Sequence, residues 1–381
     1  MAKIKVLKAS SFYDHYLENF YKQRDYLKDE TYDRQYQEVM ADCFGWYDIW
    51  KTTLEATGDY EVMEVITNAS CLQKKWALEN NINFSEDSWR LDILEKQILA
   101  FQPDIFFAHD FGTIDASFRK LIKKKCPSIK VVFAWDGVAA NSIKLFDACD
   151  IVLSCTTDIV KYYSINGLQS HLFHFGFNSA ILDKIHKEKD PIYDLSFCGS
   201  VSSGWHSERL DFLYNIHKKC KLDLWANYLS ATPKNFLGAI SRLDTDRLQD
   251  LIKFKALSKI NHGQVFGLEM FQVMSDSKIT LNKHINLAGN NAGNMRLFEA
   301  AGVGACLVTD YKSDLKDIFD IETEVVTYRT TDEAIDKIRY LLNNDLERER
   351  IALAGQKKVL EKYPVSEQIV EAISFAVNFL N

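Results

Sequence analysis

The stretch from Ser277 to Asp310 holds the densest set of residues able to do chemistry. It reads Ser-Lys-Ile-Thr-Leu-Asn-Lys-His to His284, then Asn-Leu-Ala-Gly-Asn-Asn-Ala-Gly-Asn from Asn286 to Asn294. From Met295 it continues Met-Arg-Leu-Phe-Glu-Ala-Ala-Gly-Val-Gly-Ala-Cys-Leu-Val-Thr-Asp. The pattern is a strand, a loop rich in glycine and asparagine, a helix start and a second strand. Such a loop lets backbone N–H groups approach an anion closely, and a helix starting there adds its positive end. A diphosphate suits that place. Arg296, in the first helical turn, can pair with a phosphate through two parallel hydrogen bonds. Glu299, about one turn further on, can accept both hydroxyls of a ribose. A plainer reading competes: residues 290–294 form a surface loop, and Arg296 with Glu299 is an intrahelical pair three residues apart. The residues by themselves leave both open.

The elements that must position these groups follow a regular rhythm. A chain of 381 residues, 47% hydrophobic and 13% aromatic, has the apolar content for two cores. Short β-branched or aromatic runs at Ile4 to Leu7, Glu61 to Ile66, Asp104 to Ala108, Val131 to Ala134, Ile151 to Ser154 and His171 to Phe173 predict strands. Segments of helical period, such as Leu91 to Leu99 and Ile114 to Ile122, separate them. That alternation specifies a parallel, doubly wound sheet. A polar segment then meets Pro191, and a second series begins: strands at Leu195 to Cys198, Leu222 to Trp225, Ile279 to Leu281, Cys306 to Thr309 and Val325 to Tyr328. Helices at Ser207 to His217, Asp332 to Leu342 and Asp345 to Glu361 intervene, with Thr330 and Thr331 as cap candidates. The expected organisation is an N-terminal domain over 1–180, a linker over 181–192, a C-terminal domain over 193–363, and an amphipathic tail over 364–381. That tail is long enough for a helix able to cross back onto the N-terminal domain. The stretch from Asn227 to His262 exceeds a simple loop. Its apolar Leu243, Leu248, Leu251, Ile252 and Phe254 fall at near-helical spacing, which favours packing over acceptor contact or oligomerisation.

Charge and special residues exclude several classes. The net charge is -7 with both signs mixed along the chain, unlike a nucleic-acid binder. Lys120, Lys123, Lys124, Lys125 and Lys130 cluster at a predicted helix end, where cations suit the macrodipole; attraction to a membrane surface or to an acidic acceptor is the lesser reading. No run of eighteen apolar residues exists and Met1 to Ala9 lacks a cleavage pattern, so a cytoplasmic, non-spanning protein is expected. The eight cysteines contain no C-x-x-C pair and read as small buried hydrophobes in a reducing compartment. The nine histidines show no metal-ligand spacing, so no metal site is expected.

With these residues in place, Ser277 to His284 followed by N-M-R-L-F-E-A-A-G-V-G-A-C-L-V-T-D resembles the C-terminal half of CgeB-like glycosyltransferases, within the broad group-1 GT-B transferases. That family opens its second domain with a strand and a Gly-Ser turn, which Asp194 to Ser200, followed by Arg209, matches. The resemblance covers roughly residues 190–363. It implies a GT-B-like fold of two facing Rossmann-like domains around an interdomain cleft, with the nucleotide-sugar held by the second domain. Carried over by position, Glu299 resembles the second glutamate of the E-x7-E motif that holds the donor ribose, while Asn291 stands where the first would be. The resemblance further implies that Gly199 and Ser200 approach the donor phosphates or sugar, and that Asn282, His284 and Asn294 line the donor pocket. The nucleotide-sugar is a substrate, so no cofactor is implied. A bacterial setting in surface-polysaccharide or glycoprotein assembly is implied by the resemblance alone.

The acceptor side is read from strand ends, because an open α/β sheet places its site beyond the carboxyl ends of its strands. Those ends carry Ser10 to His15, His109-Asp110-Phe111-Gly112, and Trp135-Asp136-Gly137. An inverting transferase needs a base there for the acceptor hydroxyl. Asp110 and Asp136 are the leading candidates, with His109 and Asp14 behind, although each is equally suited to a cap or turn. Phe44, Trp46, Tyr47 and Trp50 suit either a sugar-stacking surface or the buried face of a helix. The expected function is metal-independent sugar transfer from a nucleotide-sugar to a glycan, lipid-linked or protein acceptor. A GT-B-shaped nucleotide-sugar epimerase and a catalytically silent sugar-nucleotide-binding protein are the alternatives.

Overall fold

The computed structural model describes residues 2–110, 112–137, 142–187, 190–201, 207–227 and 244–380. Phe111, two residues of the expected linker, and residues 228–243 of the long stretch, Leu243 among them, lie outside the described residues. The chain divides into two compact units, Met1–His174 with Val365–Asn381, and Phe175–Pro364.

The first unit carries β1 (Ile4–Ser10), α1 (Asp14–Gln23), α2 (Tyr32–Ala41), α3 (Ile49–Ala56), β2 (Tyr60–Ile66), α4 (Ser70–Glu79), α5 (Trp89–Phe101), β3 (Ile105–Ala108), α6 (Ala116–Lys125), β4 (Val131–Trp135), β5 (Ile151–Ser154), α7 (Thr157–Ile165) and β6 (Gln169–Leu172). The second carries β7 (Tyr193–Ser200), α8 (Ser207–His217), β8 (Asp223–Asn227), α9 (Thr245–Leu257), α10 (Gly267–Ser275), β9 (Ser277–Asn282), α11 (Met295–Gly302), β10 (Cys306–Asp310), β11 (Val326–Tyr328), α12 (Thr331–Leu342) and α13 (Asp345–Lys362). The tail helix α14 (Val365–Val377) returns to the first unit.

Both sheets are wholly parallel. The first has the order β2-β1-β3-β4-β5-β6 and the second β11-β10-β9-β7-β8. Helices on both faces explain why the strands read as near-continuous apolar runs. The pleat sorts those runs between two cores. Val6, Ile105, Phe107, Val131 and Phe133 face one side with Trp50, Leu54 and the Ile369, Ala372, Ile373 and Ala376 stripe of α14. Leu7, Phe106, Ala108 and Val132 face the other, with Leu94, Ile98, Phe118 and Ile122. In each sheet the strand order reverses at a switch point, β1/β3 in the first unit and β7/β9 in the second, where doubly wound folds open a crevice beyond the carboxyl ends.

Several surface and packing questions are settled by contacts. In α9, Leu251, Phe254 and Leu257 are buried, the last two in the second unit's core, while Ile252 is exposed. Trp50 is fully buried, stacking on Trp46 and Phe173, and Phe44 stacks on Tyr16 at 3.9 Å. The aromatic cluster is therefore chiefly packing. The lysines at the end of α6 meet carboxylates: Lys120 pairs with Asp147 at 3.0 Å, Lys123 with Asp150 at 2.9 Å, and Lys125 with Glu95 at 2.8 Å. Thr330 caps α12 by accepting from the Glu333 N–H. No disulfide links the cysteines. Among the described residues no helix is long and apolar enough to cross a membrane.

One polar pair sits inside the first core. Lys8 and Glu64 are register partners on β1 and β2, both buried, with Nζ 2.8 Å from Oε2. Lys8 also donates to the Trp46 carbonyl at 2.8 Å, and Glu64 accepts the Lys51 N–H in the first turn of α3. Burial pushes the Glu64 carboxyl up, and the Lys8 ammonium pulls it back down. Removing one member leaves the other charge buried alone. Glu64→Ala should therefore cost about 3–5 kcal/mol in denaturant unfolding, and Lys8→Met combined with Glu64→Leu should recover much of that loss. A single-variant cost under about 1 kcal/mol would show that the pair is not structural.

Candidate donor site at the second switch point

The β7/β9 crevice is framed by backbone and one arginine. Arg209, from α8 and largely buried, donates Nη1–H to the Ser200 carbonyl at the end of β7 (3.1 Å) and Nε–H to the Lys283 carbonyl just beyond β9 (2.9 Å). It therefore ties the two sides of the switch point together. Gly199 sits beside Arg209 and against the Phe197 ring. A Cβ there would lie 3.2 Å from that ring, tighter than ordinary contact.

From β9 a continuous run of hydrogen bonds crosses to β10 and α11. Asn294 is the N-cap of α11, its side-chain oxygen accepting the Leu297 N–H at 3.3 Å. Its amide donates to the Asn282 side-chain oxygen at 3.0 Å. Asn282 in turn donates to the Thr309 hydroxyl at 2.9 Å, across a register pair of β9 and β10. Tyr328 on β11 donates its hydroxyl to the Asn282 carbonyl at 2.8 Å.

At the end of the run, one oxygen of Asp310 accepts both the backbone N–H of His284 (2.8 Å) and its ring Nδ1–H (2.7 Å). Hydrogen bonds from His284 and the nearby Lys312 ammonium hold the Asp310 carboxyl well below the usual carboxylate range, against the opposing effect of its own burial. An ionised carboxylate only accepts, so Nδ1 carries the proton. The other ring nitrogen, Nε2, is buried and has no hydrogen-bond partner among the described residues. Asn282, His284 and Asn294, named from sequence, are thus brought together, and Gly199 and Ser200 lie across the same switch point. Asp310, Thr309 and Tyr328 were missed. Asp310 was legible as the last residue of an apolar strand run, the place where polar chemistry collects in a parallel sheet.

Arg296 and Glu299 form a separate pair. Arg296 donates Nη1–H to Glu299 at 2.8 Å, and its guanidinium also meets the sulfurs of Met274 and Met270 at 3.2 and 3.1 Å. Burial raises the Glu299 carboxyl and Arg296 lowers it. The intrahelical pair weighed at the outset is present. Asn291 donates weakly to the Ala288 carbonyl, and Asp314 holds the same loop by accepting the Ala292 N–H at 2.7 Å.

In the first unit the strand ends are equally polar. Asp110 accepts from the Thr67 hydroxyl at 2.7 Å and from the Thr113 N–H at 3.3 Å, joining the ends of β2 and β3. Asp136 is buried and accepts the Tyr163 hydroxyl. Asp14 accepts from Asn68 at 2.8 Å. His109 lies in an aromatic cluster, 4.5 Å from the Trp46 ring and 5.6 Å from Phe107. Neither of its nitrogens has a partner among the described residues. Burial, helped by the Lys8 cation, pushes its pKa down to about 3, so it stays neutral.

The family model described as glycosyl transferase-like matches residues 232–374. No curated protein matches the sequence. Among solved structures, a glycosyltransferase from Rickettsia africae superposes with a TM-score of 0.59 at 11% identity, covering 100% of both chains. Anabaena HepE in complex with UDP-glucose gives 0.59 at 9% identity, over 98% of this chain and 100% of that one. A UDP-N-acetylglucosamine 2-epimerase homologue from Listeria monocytogenes, so described on a provisional basis, gives 0.55 at 13%, over 99% and 97%.

The cap is the simplest part of the network to test. Asn294→Ala should lower stability by about 1 kcal/mol through loss of the N-cap, and Asn294→Gly by only a few tenths, measured by chemical denaturation. Equal losses for the two variants would show that the bond to Asn282, rather than the cap, carries the effect. The two parallel-sheet units have the GT-B glycosyltransferase fold, and the chain is glycosyl transferase-like from 232 to 374.

Proposed function

We propose that this protein is a glycosyltransferase that takes a sugar from a nucleotide-sugar and passes it to a glycan, lipid-linked or protein acceptor. The observation that carries the reading is a coincidence of place. The glycosyl transferase-like match spans β9, α11 and β10, the elements whose ends carry the polar run from Asn294 to His284 at a switch point. An anion beyond those ends would meet the N-terminus of α11 together with the Lys312 cation, which donates to the Gly289 carbonyl in the adjoining loop. These charges can offset a leaving diphosphate, so the reaction is proposed to need no divalent metal. The finer CgeB-like assignment rests on the N-M-R-L-F-E run, and a cytoplasmic site of action on the scattered cysteines.

The base for the acceptor hydroxyl is proposed in the first unit, at Asp110 or Asp136, each at a strand end and each already accepting a hydroxyl. His109 is the weaker candidate, since a ring whose pKa lies near 3 accepts protons poorly at neutral pH. A GT-B-shaped epimerase is the second reading, because the Listeria homologue superposes nearly as well as the Rickettsia transferase. It predicts donor turnover that does not depend on any acceptor.

A thermal-shift screen across UDP-, GDP-, CMP- and dTDP-sugars tests the reading. One class should stabilise the protein by about 2.7 kcal/mol at a hundred times its dissociation constant, and turnover with that donor should survive EDTA. Loss of turnover on chelation, restored by magnesium or manganese, would overturn metal independence. Asp110→Asn or Asp136→Asn should lower turnover by about 10²- to 10⁴-fold with little change in melting temperature. Near-normal turnover in both would remove the first unit's carboxylates from the chemistry.

A further inference from the structure

We infer that Asp314 is a positioning residue for donor binding: with Lys312 and Ser313 it holds the loop ahead of α11 in the shape that receives the nucleotide-sugar. This role rests on the donor-site reading above and deepens it.

The turn after β10 addresses the loop residue by residue. Lys312 donates to the Gly289 carbonyl at 2.6 Å. Ser313 donates both its N–H and its hydroxyl to the Asn290 carbonyl, each at 3.1 Å. Asp314 accepts the Ala292 N–H at 2.7 Å. Three consecutive residues thus make four hydrogen bonds to a segment 22 or 23 residues earlier in the chain. Residues 289–294 belong to no helix or strand, so no regular ladder shapes them.

The partner of Asp314 separates this role from that of a turn former. Asp314 stands at the N-cap position of a short turn, Leu315–Asp317, where an aspartate ordinarily accepts a backbone N–H of the turn that it opens. Its side chain makes no such cap and reaches across to Ala292 instead. A local bond is replaced by a long-range one.

The loop is held from one side and open on the other. Ala292 is buried, whereas Gly289 and Asn290 are exposed. At Gly289, φ is +55° and no atom of the described residues lies within 4 Å of where a Cβ would sit. The loop then runs into Asn294, whose bonds to the Leu297 N–H and to Asn282 fix the start of α11. The chain ahead of the helix is therefore pinned on both sides of Gly293, at Ala292 and at Asn294. Backbone N–H groups at such a helix start are the donors that a phosphate meets. Set in place beforehand, they cost the incoming ligand no ordering. Once freed, the loop samples other shapes, and affinity falls with the fraction of molecules in the competent one.

Three variants separate positioning from stability. Asp314→Ala deletes the acceptor of the Ala292 N–H, and Asp314→Asn keeps an oxygen for it. Thr330→Ala removes the cap of α12 in the same unit and lowers stability without touching the loop. Each is titrated by calorimetry with UDP-glucose, GDP-glucose, dTDP-glucose and CMP-sialic acid, and hydrogen exchange is followed over residues 286–294. For the nucleotide-sugar that the wild type binds, Asp314→Ala should weaken affinity roughly ten- to a hundredfold, and Asp314→Asn should stay within about threefold. Thr330→Ala should bind as the wild type does. Exchange over 286–294 should speed up in Asp314→Ala alone, and saturating nucleotide-sugar should slow it again. Ser313→Ala, which loses one bond of the four, should weaken affinity about threefold and gives the same reading if Asp314→Ala folds poorly. Faster exchange with unchanged affinity would overturn the inference and leave the donor site standing. So would an equal loss of affinity in Thr330→Ala, or no rescue by Asp314→Asn. If none of the four nucleotide-sugars binds the wild type, the donor-site reading falls and the inference with it.

Discussion

A parallel sheet buried on both faces confines polar chemistry to its strand ends, and the rest of this structure follows from that confinement. In both sheets the strand bodies are chiefly Val, Ile, Leu and Phe, and polar side chains crowd the last rungs of the ladder and the residues just past them. In the second unit the crowding is cooperative. Asn294, Asn282, Thr309, Asp310 and His284 each satisfy the next, so the start of α11 and the ends of β9 and β10 are fixed relative to one another. Fully satisfied networks of this kind rigidify a site, and one open atom in such a network stands out.

Two pairs depart from the confinement, the buried Ser196 and Thr280 hydroxyls between β7 and β9 and, with far larger electrostatic consequence, Lys8 with Glu64, a charge pair inside the first core. The geometry of the charge pair explains how it is tolerated. The two residues face one another in register, Lys8 also donates to the Trp46 carbonyl, and Glu64 caps the first turn of α3. The pair therefore ties α3 and the loop before it to β1 and β2. It also sets the electrostatics of the nearest strand end, since the Lys8 cation helps keep His109 neutral.

How much of this was legible in the sequence depended on whether the signal was local. Most strands of both sheets lie on a β-branched or aromatic run, because burial on two faces writes itself into consecutive residues, whereas the half-exposed edge strand β6 reads Gln-Ser-His-Leu. The α11 start was legible from Asn294 ahead of an apolar run, a cap followed by helical period. The partner of His284 was not, because the bond to Asp310 spans β9, the loop, α11 and β10, and depends on strand register. No spacing rule links residues joined only by a parallel ladder. Arg296 and Glu299 were ambiguous for a related reason. A pair three residues apart on a helix satisfies itself as readily as it satisfies a ligand, and only the coordinates show the guanidinium turned to Glu299 and two methionine sulfurs.

The two switch points end up chemically opposite while topologically alike. Each sheet places a histidine just after the strand that flanks its reversal, His109 after β3 and His284 after β9. Beneath His109 lies the Lys8 cation, and around it lie Trp46, Phe107 and Trp135, so the ring is held neutral by burial and by like charge. Beside His284 lies a carboxylate held well below its usual range, gripping the ring through Nδ1. One ring is set among aromatic side chains, whereas the other is backed by an ionised carboxylate. The two switch points thus differ in what stands next to each histidine, and not in the histidines or in the fold they share.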